Sequence, residues 1–311
     1  MNLASLNYLL FLALVVLFYY IVPRKIQPWV LFLFSLYFYA TFGTQHFLFL
    51  GFSILVTWLT GIWVHRSISA LSRKLFLIGG ITLNLLPLIF IKQFNTFAGL
   101  TSKVLGVAGI SVTPPVVTIL APIGISFYTL TAIAYCVDAY REKFPVQKNP
   151  FKLALYISFF PTILQGPILR YHDVKDSLFP EQRKKFDLTQ CAYGAQLLLW
   201  GLFKKMVIAD RVAIIANEIF ENYTSYHGFT LVVGALAHSL QIYTDFSGCV
   251  DIVRGSSQIL GISLPENFRQ PYFATSIADF WHRWHISLSS WFRDYVYIPW
   301  AETEKENFVN I

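Results

Sequence analysis

The stretch "DFWHRWHISLSSWFRDYVYIPW", residues 279–300, sets two histidines, two arginines, two aspartates and three serines among four tryptophans and two tyrosines. It is too aromatic for a solvent loop and too polar for a lipid-facing helix, so it is expected to line an interior. Around it the chain reads like hydrocarbon: 55% of the 311 residues are hydrophobic and only 13% are charged. That is roughly half the charge of a water-facing surface. An all-α, polytopic integral membrane protein is the expected fold class.

Apolar runs near the length needed to cross a bilayer, about 20 residues, fall at 3–22, 29–42, 47–64, 75–91, 119–137, 153–169, 191–202 and 230–250. The first lacks a basic leader and a small-residue cleavage site, so it reads as a retained span. Basic residues cluster in the connections at 23–25, 65–74 and 138–152. With the amino terminus outside, all three fall in the cytoplasm, as the positive-inside rule requires. The net charge of +7 is thereby explained without a nucleic-acid partner. Cys136, Cys191 and Cys249 sit in or beside apolar runs without CxxC spacing and read as small buried hydrophobes.

The texture changes in the second half. "FFPTILQGPILRYHDV" (159–174) puts Pro161, Gln165, Gly166 and Pro167 inside an apolar run. A backbone break at that depth must pack on protein or line a wet cavity, and packing against 279–295 is expected. "GLFKKMVIADRVA" (201–213) alternates charges with aliphatics, as an amphipathic helix at the interface does. Read as a continuous helix, 279–300 stacks Trp281, His285 and Leu288 on one line and His282, His285 and Ser289 on another. Asp279 and Arg283 are spaced for an intrahelical ion pair, whereas the adjacent Arg293 and Asp294 point apart and are expected to seek separate partners.

Ionisable groups inside a membrane are costly and by default functional. His238, Asp245, Asp251, Asp279, His282, Arg283 and His285 are expected to share one polar region. No HExxH, GxSxG or phosphate-loop motif accompanies them, and no metal site is expected. A neutral histidine that takes the proton of an attacking hydroxyl suits acyl transfer, if its pKa lies near the working pH. A transporter-like scaffold is the rival from another class. It needs paired broken segments in both halves, and residues 1–140 offer only plain spans.

"APIGISFYTLTAIAYCVDAYR" (121–141), "FFPTILQGPILRYHDV", "GLFKKMVIADR", "QIYTDFSGCVDI" (241–252), "LPENFRQPYF" (264–273) and the opening stretch resemble, in this order, the membrane-bound O-acyltransferases (MBOAT). The wording of "QGPILRYHDV" and "RWHISLSSWFRDYVYIP" is most similar to the branch of bacterial alginate O-acetyltransferases. The D-alanyl transferases of teichoic acid modification are the next alternative. The resemblance implies one domain over 1–311, a ring of helices around a central funnel in the bacterial cytoplasmic membrane. The implied donor is acetyl-CoA or another acyl thioester, with no bound cofactor, and the acceptor is an extracytoplasmic glycan. An SGNH-type periplasmic or extracellular transferase is an implied partner. The histidine of "RWH" carries over to His285 as the catalytic residue. Asp245, His282, Arg283 and Gln165 are expected to support it, a role read from spacing alone. The family's second histidine, in a "GLWHG"-like segment after a "GGNR" loop, has no counterpart after "YIP". The expectation is therefore a chain truncated at its carboxy terminus, for which a non-catalytic assembly partner is a further alternative.

Overall fold

A computed structural model describes the backbone of residues 1–107 and 122–301, and the side chains of all of these except 92 and 94–107. The start of the apolar run at 119–137 and the tail 302–311 lie outside the described residues. The described chain is helical throughout, with no strand. In order it forms α1 (Leu6–Ile21), α2 (Gln27–Ala40), α3 (His46–Arg66), α4 (Ala70–Val107), α5 (Ile125–Tyr140), α6 (Pro150–Ser158), α7 (Thr162–Gln165), α8 (Tyr171–Leu178) and α9 (Leu188–Leu202). A π-helical turn at Phe203–Ala209 joins α9 to α10 (Asp210–Glu221); then follow α11 (Phe229–Ile259), α12 (Ile277–Arg283) and α13 (Ile286–Phe292).

Two helical stretches, His46–Arg66 and Ala70–Ile91, are long and apolar enough to cross a membrane, each with mean hydropathy 2.0. The other apolar runs also lie on helices, but these are shorter, like the 16-residue α1, or interrupted by charge, like α11 with Asp245, Asp251 and Arg254. The residues group into two compact units, Met1–Phe38 with Ser158–Ile311, and Tyr39–Ile157.

In the second unit α3, α4 and α5 pack through small and hydroxyl-bearing residues. A Cβ on Gly80 would lie 2.3 Å from Thr60 Oγ1. Ser53 donates to Asn84 Oδ1 at 2.6 Å, and Asn84 Nδ2 donates to the Gly80 carbonyl at 2.9 Å. Ser53 and Asn84, buried between these helices, thus satisfy each other, as an apolar surround demands.

In the first unit α9 and α11 run antiparallel with their backbones in direct approach. Gly194 faces Gly255 and Gly201 faces Gly248. A Cβ on Gly201 would sit 2.6 Å from the Gly248 carbonyl oxygen, and one on Gly255 would sit 2.5 Å from that of Gly194. The seven-residue spacing of both pairs keeps the glycines on one face of each helix. Small residues at such a seam let backbones approach where lipid supplies no hydrophobic drive between helices.

The break in 159–174 forms as expected. α6 stops at Ser158, α7 is a single turn ending at Gln165, and Gly166 is extended, with no room for a Cβ beside Thr162 Cα at 2.8 Å. The freed amides find protein partners: Phe160 N donates to Ser35 Oγ at 3.1 Å and Ile168 N to Ser287 Oγ at 3.1 Å. Arg170 closes the contact to the 279–295 stretch by pairing with Asp294 at 2.5 Å and lying over the Tyr295 ring.

Candidate active site

Residues 279–300 are not one helix. α12 ends at Arg283, α13 begins at Ile286, and His285 between them has φ 42°, in the left-handed region. That conformation is uncommon outside glycine, and histidine is among the residues enriched there. The expected stacking of His285 on Trp281 and Ser289 is therefore replaced by a kink that places His285 between the two helices, in neither of them. Asn267, fully buried, makes the kink tenable. Its main-chain carbonyl accepts from Ile286 N at 2.9 Å and its Oδ1 from Ser287 N at 3.0 Å, so two of the unpaired amides that open α13 are satisfied.

The imidazole enters an aromatic box. Phe246 of α11 meets it edge to face at 4.8 Å, Phe268 lies at 6.5 Å, and Phe268 in turn packs edge to face on Trp284 at 5.1 Å. Nδ1 is buried and meets only its own main chain, with no partner from another residue. At seven residues each, α12 and α13 are about 10 Å long, a third of a bilayer core, so His285 belongs to no spanning helix. Burial pushes its pKa down to about 4. The ring is consequently neutral at physiological pH, below rather than near the expected working range.

A polar cavity of about 480 Å³ opens beside this box, lined by Lys204, Tyr243, Asp251, Arg254, Glu266 and Phe268 among others. Residues 266–270 form one wall. Arg269 and Arg254 hold the Glu266 carboxyl below its ordinary range. Lys204 pairs with Asp251 at 2.6 Å and donates to Ser247 Oγ at 3.1 Å.

Residues 68–310 match the model of the membrane-bound O-acyltransferase family, MBOAT. The chain belongs to this family. Among its relatives in the MBOAT set is a protein of Azotobacter vinelandii described as "Probable alginate O-acetylase AlgI", 37% identical over 295 residues, which cover 93% of this chain and 57% of that one. A "Peptidoglycan O-acetyltransferase" of Helicobacter pylori is 33% identical over 289 residues, 85% of this chain and 54% of that one. A "Teichoic acid D-alanyltransferase" of Bacillus subtilis is 34% identical over 187 residues, 57% of this chain and 45% of that one. The chain spans a little over half the length of the alginate relative.

The structure gathers only part of the expected MBOAT site. Arg283 forms the predicted pair with Asp279, 2.8 Å from Nε to Oδ1, and also lines the polar cavity. Asp245 does not face His285. Its neighbour Phe246 does, and a helix turns about 100° per residue, so the Asp245 carboxylate swings to Lys205 at 2.7 Å. His282 is exposed on α12, Gln165 is exposed at the end of α7, and His238 packs on Phe220 at 5.3 Å. None of these three has a recorded contact with His285.

Two further expectations change. The 201–213 stretch is no amphipathic interface helix, because the π-turn widens the helix and directs Lys204 inward to Asp251 while Lys205 pairs with Asp210 and Asp245. Asp294 finds a separate partner in Arg170, as expected, but Arg293 turns back to pair with Asp294 as well, at 2.7 Å. Missed altogether are Asn267 and Lys204, the partner of Asp251. Asn267 stood in the quoted "LPENFRQPYF" motif, but nothing in its local spacing marked it as the support of a kink 18 residues further on.

Proposed function

We propose that this chain is the acyl-transferring part of a bacterial envelope O-acetyltransferase, moving an acetyl group from acetyl-CoA or a similar acyl thioester to a hydroxyl of an extracytoplasmic glycan. The observation that carries this reading is His285, a neutral imidazole held by a left-handed backbone in an aromatic box, its Nδ1 without a partner from another residue. With Nδ1 buried against its own main chain, Nε2 is the ring nitrogen that takes the proton of an acceptor hydroxyl. The hydroxyl oxygen bonds to the acyl carbon, the carbon–sulfur bond breaks, and the thiolate leaves as the thiol with the proton that His285 took, which returns the imidazole to its neutral form. Arg283, held by Asp279, adds positive charge at the neighbouring cavity, where the oxyanion of the addition step gains from it.

The chain crosses the bacterial cytoplasmic membrane several times with its amino terminus outside, as a single domain of the ring-and-funnel kind that the family resemblance implies. Residues 65–74 then face the cytoplasm. A cysteine placed there is expected to react with an impermeant maleimide only after the cells are opened, and labelling of intact cells would reverse the topology.

The alginate relative supports acetyl over D-alanyl transfer, because that match extends over 93% of this chain and the D-alanyltransferase match over 57%. An SGNH-type transferase receiving the acyl group outside the membrane fits this direction of transfer. Deleting the gene is expected to remove base-labile acetate from the envelope glycan, and complementation to restore it. Release of alanine instead of acetate would assign D-alanyl transfer, and an unchanged ester content would reject the reading.

A further inference from the structure

A second cavity, of about 460 Å³, lies in the Tyr39–Ile157 unit at the end of α3, lined by Trp58, Trp63, His65, Arg66, Val146 and Lys148 among others. Its frame is fixed: Trp58 Nε1 donates to the Lys148 carbonyl at 3.1 Å, tying the loop before α6 to the helix. Two features make it a receptor rather than a gap between side chains. Among the described residues neither Arg66 nor Lys148 has an ion-pair partner, and no carboxylate lines the cavity. The acids paired in this unit are engaged elsewhere, Glu142 by Arg73 and Asp138 by Lys143. The carbonyl end of α3 carries partial negative charge and repels an anion, so the two side-chain cations must supply the attraction.

The second feature is a track that leads away from the cations. Leu48, Phe52, Leu55, Leu59, Ile62 and Arg66 follow each other at intervals of four, three, four, three and four residues, which places them on one face of α3. Leu48, Phe52 and Leu55 are exposed, Leu59 and Ile62 line the cavity, and the helix is one of the two apolar enough to cross a membrane. Two indoles stand where the apolar face meets the cations, the position tryptophan takes at a membrane surface. A phosphate-bearing headgroup held by cations, continuous with a hydrocarbon chain lying on an apolar face, is the chemistry of an anionic phospholipid. Basic pockets of this kind recognise such headgroups.

We propose that this cavity binds the headgroup of an anionic phospholipid, with an acyl chain lying along the Leu48–Arg66 face of α3. The site is separate from His285 and does not depend on the acyltransferase reading.

The test is native mass spectrometry of the delipidated intact protein offered equal amounts of phosphatidylglycerol and phosphatidylcholine with the same acyl chains. Phosphatidylglycerol is expected to be retained on the order of tenfold better. Arg66→Gln with Lys148→Gln should abolish the preference, whereas removing the same charge elsewhere, Lys25→Gln with Lys185→Gln, should keep it. All four positions are exposed, and unchanged melting temperatures would show that the variants are folded. Should the first pair unfold, the wild-type preference between the two lipids decides alone. Equal retention of both lipids, an undiminished preference in Arg66→Gln/Lys148→Gln, or equal loss in the control pair would overturn the proposal. Displacement of the lipid by millimolar inorganic phosphate would assign the cavity to free phosphate and overturn the lipid assignment.

Discussion

Replacing His285 with Ala is expected to lower O-acetyl transfer by on the order of 10²–10⁴ while the protein continues to accumulate in the membrane. The reason lies in what the side chain does and does not hold. Its Nδ1 bonds no other residue, so truncation removes no hydrogen bond from the fold, only ring contacts with Phe246 and Phe268. The backbone at φ 42° is the part that alanine tolerates poorly. His285→Asn therefore belongs beside it, because asparagine adopts the left-handed region readily but carries no basic nitrogen. Both variants should lose transfer, and the asparagine variant should retain wild-type abundance. His227→Ala, on an exposed loop, should retain both. If His285 served packing alone, abundance and transfer would fall together, and His285→Asn would recover both.

Gly201→Leu or Gly255→Leu should prevent stable folding. Each places a side chain where the facing helix already has backbone: a Cβ at 201 meets the Gly248 carbonyl and the Ile252 amide at 2.6 and 2.7 Å, and one at 255 meets the Gly194 carbonyl and the Leu198 amide at 2.5 and 2.6 Å. Main-chain atoms of a helix cannot move aside as a flexible side chain does, so α9 and α11 must separate along their length. Overpacking costs roughly 1–3 kcal/mol even where side chains can adjust, and here it should exceed that range, against a net stability of about 5–15 kcal/mol. Gly51→Leu is the control, since nothing lies within 4 Å of a Cβ there. Monodisperse yield in detergent measures the difference: normal for Gly51→Leu, near zero for the seam variants. Wild-type yield for Gly255→Leu would show that the helices are not in backbone contact.

The contrast between what was legible in the sequence and what was not follows from the range of the interactions. The interruption at 159–174 could be read because its causes are local: Pro161 and Pro167 cannot donate to a helix, and Gly166 stands where no Cβ fits. The Asp279–Arg283 pair was legible for the same reason, being set by one helical turn. The kink at His285 was not. No glycine or proline marks it, and its amides are satisfied by Asn267, remote in the chain. The π-turn at Phe203–Ala209 likewise has no sequence signature, and the adjacent lysines on it serve Asp251 on one side and Asp245 on the other. Assigning Asp245 to His285 failed on a single residue of helical phase.

The central claim is that the His285 imidazole takes the proton of the hydroxyl that attacks an acyl thioester, and label transfer tests it most directly. Inside-out membrane vesicles from cells expressing the gene in its own genomic setting receive acetyl-CoA labelled in the acetyl group, and base-labile label is counted in the glycan. Wild-type vesicles should transfer label, and vesicles carrying equal amounts of the His285→Asn protein should transfer at least about a hundredfold less. Equal transfer by the two would contradict the account.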